Sequence, residues 1–172
     1  DATRGFALRD IGWYLAFNDY WDSEIRASLY SKGSWEANVR TNYLVNYKYS
    51  GGFNIRYAST KAGVEGTENY GTNKDFNVTW NHTQRQEANP GTSFSASVNF
   101  GTGSYFRNTG FNQTNSIEDV TRNNMSSSIS YGKVFADGKV NFTSSLSHRQ
   151  DISTGQVDLE LPTFSLYVST FN

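Results

Sequence analysis

His82 and His148 are the only imidazoles in the chain, and no cysteine accompanies them. Each lies near the end of a strand-like run, with several other runs between them, so a metal centre would need carboxylates to gather round one ring. Interfacial placement suits both better, because imidazole has an apolar body and a polar tip. No metal site is expected. The acidic pairs Asp19/Asp22 and Glu65/Glu68 have the residue types of a general acid and base, but both stand in turn-like or loop-like sequence where carboxylates remain solvated. There is no Gly-x-Ser-x-Gly elbow, phosphate-binding loop or Cys/His cluster, so the expectation is a protein without catalytic residues or cofactor. Asn-x-Ser/Thr triplets at Asn77, Asn81, Asn112, Asn124 and Asn141 are what a chain so rich in Asn, Ser and Thr produces by chance.

Three guanidiniums carry more promise. Arg26, Arg40 and Arg56 fall on the polar side of consecutive alternating runs, and their planar forks suit phosphate or carboxylate oxygens. They could form a cationic track past which an anionic, phosphate-bearing ligand slides. The plainer alternative is a salt-bridge lattice with Glu24 and Glu36. A net charge of -1 and a pI near 6.1 give no long-range attraction for nucleic acid, which is set aside as a partner.

The elements that must position these groups are strands. Ser, Thr, Asn, Gly and aromatic or β-branched residues dominate nearly every window and disfavour helices. Aromatics reach 16% beside only 18% charged residues, yet the mean hydropathy is -0.63, so large apolar and small polar side chains must be interleaved. Trp35, Ala37, Val39, Thr41, Tyr43, Val45 and Tyr47 alternate with Glu36, Asn38, Arg40, Asn42, Leu44 and Asn46, with Leu44 the one apolar intruder. The same period of two recurs at Ile25–Leu29, Phe53–Tyr57, Phe76–Trp80, Phe94–Phe100 and Val140–Leu146. It predicts about nine strands.

Turn chemistry at Asn18–Asp22, Lys32–Ser34, Tyr49–Gly52, Asn89–Gly91, Asp137–Gly138 and Thr154–Gly155 separates the runs and makes the connectivity an antiparallel up-and-down meander. Two longer linkers, roughly Thr60 to Asn73 and Gly103 to Asn124, read as loops rather than domain boundaries. Residues 1–172 therefore form one unit with no second domain. Around Pro162 the apolar phase switches from Val157, Leu159 and Leu161 to Phe164, Leu166 and Val168, which predicts a bulge.

Alternation alone does not say what the apolar face meets. In a soluble sandwich it buries against a second sheet; in an outer-membrane barrel it meets lipid and the polar face lines a lumen. Trp21, Tyr30, Trp35, Tyr47, Tyr49, Trp80, Tyr131 and Phe135 stand at or near run ends, where barrels carry interfacial girdles, and this favours the membrane. Nine strands is odd while single-chain bacterial barrels are even, so the chain is read as part of a larger transmembrane β-barrel. Residue 1 opens without a charged n-region and apolar h-region, as expected of a mature or internal segment.

Arg4-Gly5-Phe6 through Trp35, with Asn18-Asp19-Tyr20-Trp21-Asp22 and Tyr30-Ser31-Lys32-Gly33-Ser34-Trp35, resembles the first two barrel strands of the outer-membrane lipopolysaccharide-assembly family LptD in its Bacteroidetes form. Tyr47-Lys48-Tyr49-Ser50-Gly51, Ala88-Asn89-Pro90-Gly91-Thr92, Phe94 through Phe100 and Thr154 through Leu159 extend the likeness in order over nearly the whole chain. The resemblance implies the bacterial outer membrane as location. It also implies a barrel that inserts lipopolysaccharide into the outer leaflet through a lateral gate between its first and last strands. The partners implied are lipopolysaccharide, membrane lipid, a plug lipoprotein and the periplasmic lipopolysaccharide bridge proteins. On this view Gly12, Trp13, Leu15 and Phe17 belong to one lip of the gate and Ile25, Ala27 and Leu29 to its neighbour, while Arg26, Arg40 and Arg56 offer lumen contacts to anionic lipid. Members of the family often place a proline in each gate strand; Gly12 and Ala27 stand there instead, and no proline precedes Pro90. An upstream periplasmic domain would send the first strand outward and leave the two long linkers on the periplasmic side. Two other readings remain: a porin or nutrient transporter, and a soluble glycan-binding β-sandwich.

Overall fold

Period-two alternation in a chain with so few helix formers leaves the backbone groups to be satisfied between strands. The structure, a computed structural model, describes residues 4–63, 66–104 and 124–169. Nine strands result: β1 (Ala7–Asn18), β2 (Trp21–Tyr30), β3 (Trp35–Val45), β4 (Tyr49–Ala62), β5 (Gly71–Gln84), β6 (Thr92–Gly101), β7 (Asn124–Phe135), β8 (Val140–Asp151) and β9 (Val157–Val168). They form one sheet in chain order, every neighbour antiparallel. Helix is confined, among the described residues, to single 3-10 turns at Gln86–Ala88 and Ala136–Gly138.

Local chemistry explains the turns. Asn18 Oδ1 accepts the Tyr20 N–H at 2.9 Å and folds the chain from β1 into β2. The Asp151 carboxylate gathers the N–H groups of Ser153 and Thr154 at 2.8 and 3.0 Å to start the turn into β9. Two expectations are corrected. Tyr49–Gly52 is not a turn but the start of β4; the chain turns at 46–48, where Tyr47 takes φ 64. The glycines serve close packing there, since a Cβ on Gly51 would lie 2.4 Å from the Tyr43 hydroxyl. The linker expected from Thr60 to Asn73 is also shorter, because Thr60, Lys61 and Ala62 pair with Asn73, Thr72 and Gly71. A ladder can continue through small polar residues as long as each backbone group finds a partner. Most of the Gly103–Asn124 linker, with Asn112, lies outside the described residues, as does Glu65.

Register is unbroken from β2 through β5 and shifts at the two edges. β1 slips against β2 twice, between Leu8 and Ile11, where Asp10 has φ 53, and between Ala16 and Asn18. β9 holds the expected bulge: Ser145 pairs with Thr163 and Ser147 with Glu160, so Leu161 and Pro162 together oppose Leu146. The extra residue keeps Leu159 and Phe164 on the same face.

No second layer covers either face among the described residues, so the sandwich alternative lacks its other sheet. Large side chains such as Trp13, Phe17, Leu161 and Leu166 are exposed, and the few buried groups are mostly polar, Glu36, Asp75 and Asn77 among them. β1 and β9 each have one neighbour, and every residue of β9 is exposed.

Candidate functional site

The register brings the apolar positions into rows. Ile25, Val39, Ile55 and Val78 pair directly across β2 to β5 and form a purely aliphatic middle. Aromatic rings bound it on both sides. Toward the end holding the β2–β3 turn stand Trp35 over Tyr57 at 5.1 Å and Phe76 against Phe100 at 6.0 Å. Toward the opposite end stand Trp21 stacked on Tyr43 at 4.7 Å, then Tyr49, Trp80, His82, Phe94, Tyr131 and Phe142. Trp35 and Tyr43 are eight residues apart on β3. At ~3.3 Å per residue that is roughly 26 Å of strand, near the ~25 Å apolar band of an outer-membrane barrel.

Tyr43 ties the second ring level together. Its hydroxyl accepts the Trp80 Nε1–H at 3.0 Å, lies 2.8 Å from His82 Nδ1 and 3.3 Å from the Asn81 carbonyl oxygen. His82 is thus held in an aromatic belt, with His148 on β8 two strands beyond β6, and the two rings do not converge. Among the described residues no three His, Asp or Glu side chains gather as a metal site.

The opposite face carries the polar chemistry. Arg26 Nε donates to Glu24 Oε1 at 2.7 Å, so one cation of the expected track is engaged by the lattice alternative. Glu36 belongs to neither arrangement: it is buried, accepts from Arg4 at 3.0 Å and from the Tyr30 hydroxyl at 3.3 Å. Tyr30 is accordingly not a girdle residue. It points to the polar face, with the guanidiniums of Arg4 and Arg9 5.3 and 5.8 Å from its ring centre. Strand parity reveals this, since Tyr30 shares its face with Arg26 and Ser28. Asp22 accepts from the Asn42 amide at 3.0 Å, a cross-strand structural bond with Asp19 left in the turn.

Arg40 and Arg56 have no carboxylate partner among the described residues. Arg40 borders a cup of about 380 Å³ lined by Gly51, Gly52, Asn54, Thr79 and Asn81, open because Gly52, on the same face as Asn54, carries no side chain, whereas Gly51 faces the Tyr43 ring on the other side. Arg56 pairs with Asn38, and Arg40 with Asn54. Both of those asparagines have a buried Oδ1 without a hydrogen-bond partner among the described residues. This wall therefore presents cationic donors next to unused acceptors. No pattern in the sequence shows that cup, because it depends on the glycines being strand rather than turn.

The β1 edge assembles most of the expected lip residues. Trp13 pairs with Ile25, Leu15 with Ser23 and Ile11 with Ala27, all on the apolar face, and Leu29 pairs with Leu8. Gly12 faces the other way, opposite Arg26, where an added Cβ would sit 3.0 Å from the Ile25 carbonyl oxygen. Phe17 falls within the second register slip.

A family model described as LptD protein matches residues 1–172, the whole chain. The chain belongs to the LptD family. LptD proteins act in lipopolysaccharide transport at the outer membrane and are transport and assembly proteins rather than an enzyme family. No curated protein and no solved structure matches the chain. For an LptD protein, a nine-stranded meander with two ring levels fits part of a membrane barrel.

Proposed function

We propose that this chain forms the first strands of the LptD barrel, with its aromatic-bounded apolar face against lipid and its Arg40/Arg56 wall lining the lumen. β1 is then one lip of a lateral gate through which lipopolysaccharide enters the outer leaflet. The observation that carries this reading is the contrast in pairing: β1 slips twice against β2, whereas β2 through β5 pair without a break. Each slip leaves backbone groups outside the ladder and weakens that seam. Gly12 supplies close approach without a side chain, in place of the prolines common in the family. In the lumen, the two guanidiniums would meet phosphate. A plug lipoprotein and the periplasmic bridge proteins complete the proposed assembly.

The test is a disulfide between a Gly12→Cys variant and a cysteine on the closing strand of the full-length protein. Oxidation should stop lipopolysaccharide export and reduction should restore it. Unchanged export with the crosslink formed would remove the gate assignment.

A further inference from the structure

The ladder between β6 and β7 stops early. Backbone pairing runs from Thr92–Lys133 to Ser97–Ser128, leaving Val98–Gly101 and Asn124–Ser127 without shared pairs. On the outer sides of the gap pairing continues, β5 with Phe100 and Gly101, and β8 with Asn124 through Ser127. Two side chains span it instead. The Ser127 hydroxyl accepts the Asn99 N–H at 3.0 Å and donates to the Asn99 carbonyl at 3.2 Å. Gln150 reaches from β8 past β7 to the Gly101 carbonyl oxygen at 2.9 Å.

The slot is open on both faces. On the apolar face, Val98, Phe100, Ile129, Leu146 and Leu159 surround a crevice of about 250 Å³. Behind it, Ser97, Ser126, Arg149, Asp158 and Glu160 line a polar cavity of about 380 Å³. His148 borders both, and its buried Nδ1 has no hydrogen-bond partner among the described residues.

We propose that this slot binds one membrane lipid, an acyl chain in the apolar crevice and a polar group of the same molecule against His148. The proposal rests on the reading that the apolar face meets the bilayer. The crevice is continuous with that face and lies between the two ring levels, where hydrocarbon is the surrounding solvent. Its closure by Gln150 on Gly101, and by Gly103 lying against the Ile152 carbonyl, admits a thin flexible chain from the membrane side rather than a folded partner. His148, which borders both cavities, has a buried Nδ1 that an occupant carrying a polar group would satisfy. This seam is separated from β1 by the unbroken β2–β5 sheet and is a second lipid contact, independent of the gate.

The full-length protein would be reconstituted in phosphatidylethanolamine/phosphatidylglycerol vesicles containing a phospholipid with a mid-chain diazirine, irradiated, digested and mapped by mass spectrometry. Adducts at Val98–Phe100 and Leu146–His148 should exceed those at Val39 and Ile55 by about fivefold, equivalent to roughly 1 kcal/mol of preference. Filling the crevice with Val98→Trp, or with Ile129→Phe should the first variant lose its heat-modifiable mobility, should bring that excess down to the level of Ile55. Uniform labelling across the apolar face, or an excess that both filling variants leave intact, overturns the lipid slot and leaves the membrane reading standing. Labelling nowhere on that face overturns both.

Discussion

Tyr43 illustrates how one hydroxyl can organise a membrane-facing surface. Its ring lies over Gly51, stacks on Trp21, and brings its oxygen to Trp80 and His82. At the edge of the apolar band an indole N–H turned away from water still needs an acceptor, and the Tyr43 hydroxyl supplies it. Tyr43→Phe should lower the unfolding free energy of the reconstituted barrel by about 1–3 kcal/mol in urea titration, the usual penalty for an orphaned buried donor. Tyr49→Phe, whose ring joins the same cluster at 5.7 Å from His82, should leave it nearly unchanged. The type and face of Tyr43 were readable from alternation, and so was the apolar row it ends. Its partners were not, because they depend on which residue of β5 stands beside β4, and that register becomes visible only once the strands pair. Arg26 shows the same limit, since its Glu24 neighbour is on its own strand whereas the freedom of Arg40 and Arg56 is a property of three strands together.

At the scale of the element, Pro162 is the clearest case of sequence foretelling structure. A proline at the point where apolar phase switches has one economical solution, an extra residue in the strand, and the structure places it opposite Leu146. Deleting Pro162 should abolish the bulge and leave Phe164, Leu166 and Val168 on the apolar face, because Leu161 alone would then oppose Leu146 and Thr163 would still meet Ser145. The deleted variant should keep its heat-modifiable migration; loss of the folded band would mean that β9 needs the bulge itself and not only the phase that the bulge restores. Tyr49–Gly52 misleads for a related reason. Glycine marks turns and close approaches equally, and only the Tyr43 ring above Gly51 decides between them.

For the molecule as a whole, orientation is the question that function turns on. β1 begins at the end that carries the β4–β5 and β6–β7 connections, the longer ones, while the two-residue Asp19–Tyr20 turn and the 46–48 turn lie at the other end. Long loops usually face outward, whereas a first strand entering from a periplasmic domain puts this end inward. On the proposed reading, with a periplasmic domain leading into β1, the second arrangement is the one expected. A membrane-impermeant maleimide should then label Asp19→Cys but not Gly66→Cys in intact cells. The reverse pattern would invert the sheet and separate β1 from any periplasmic domain directly before it.

The two levels of rings also carry a geometric message. Following the register from Trp35, the first level moves to Phe76 on β5 and Phe100 on β6; from Trp21, the second moves to Phe94, Tyr131 and Phe142. Both drift toward the same end of the sheet, the first by four positions over three strands and the second by four over six, together about 0.9 position per strand, or ~2.9 Å along for every ~4.8 Å across. If each level lies flat in a membrane surface, the strands must lean from the membrane normal by roughly 30°, close to the inclination that closed barrels require. On that condition the slant of a cylinder is already written in where strands β2 to β8 place their rings.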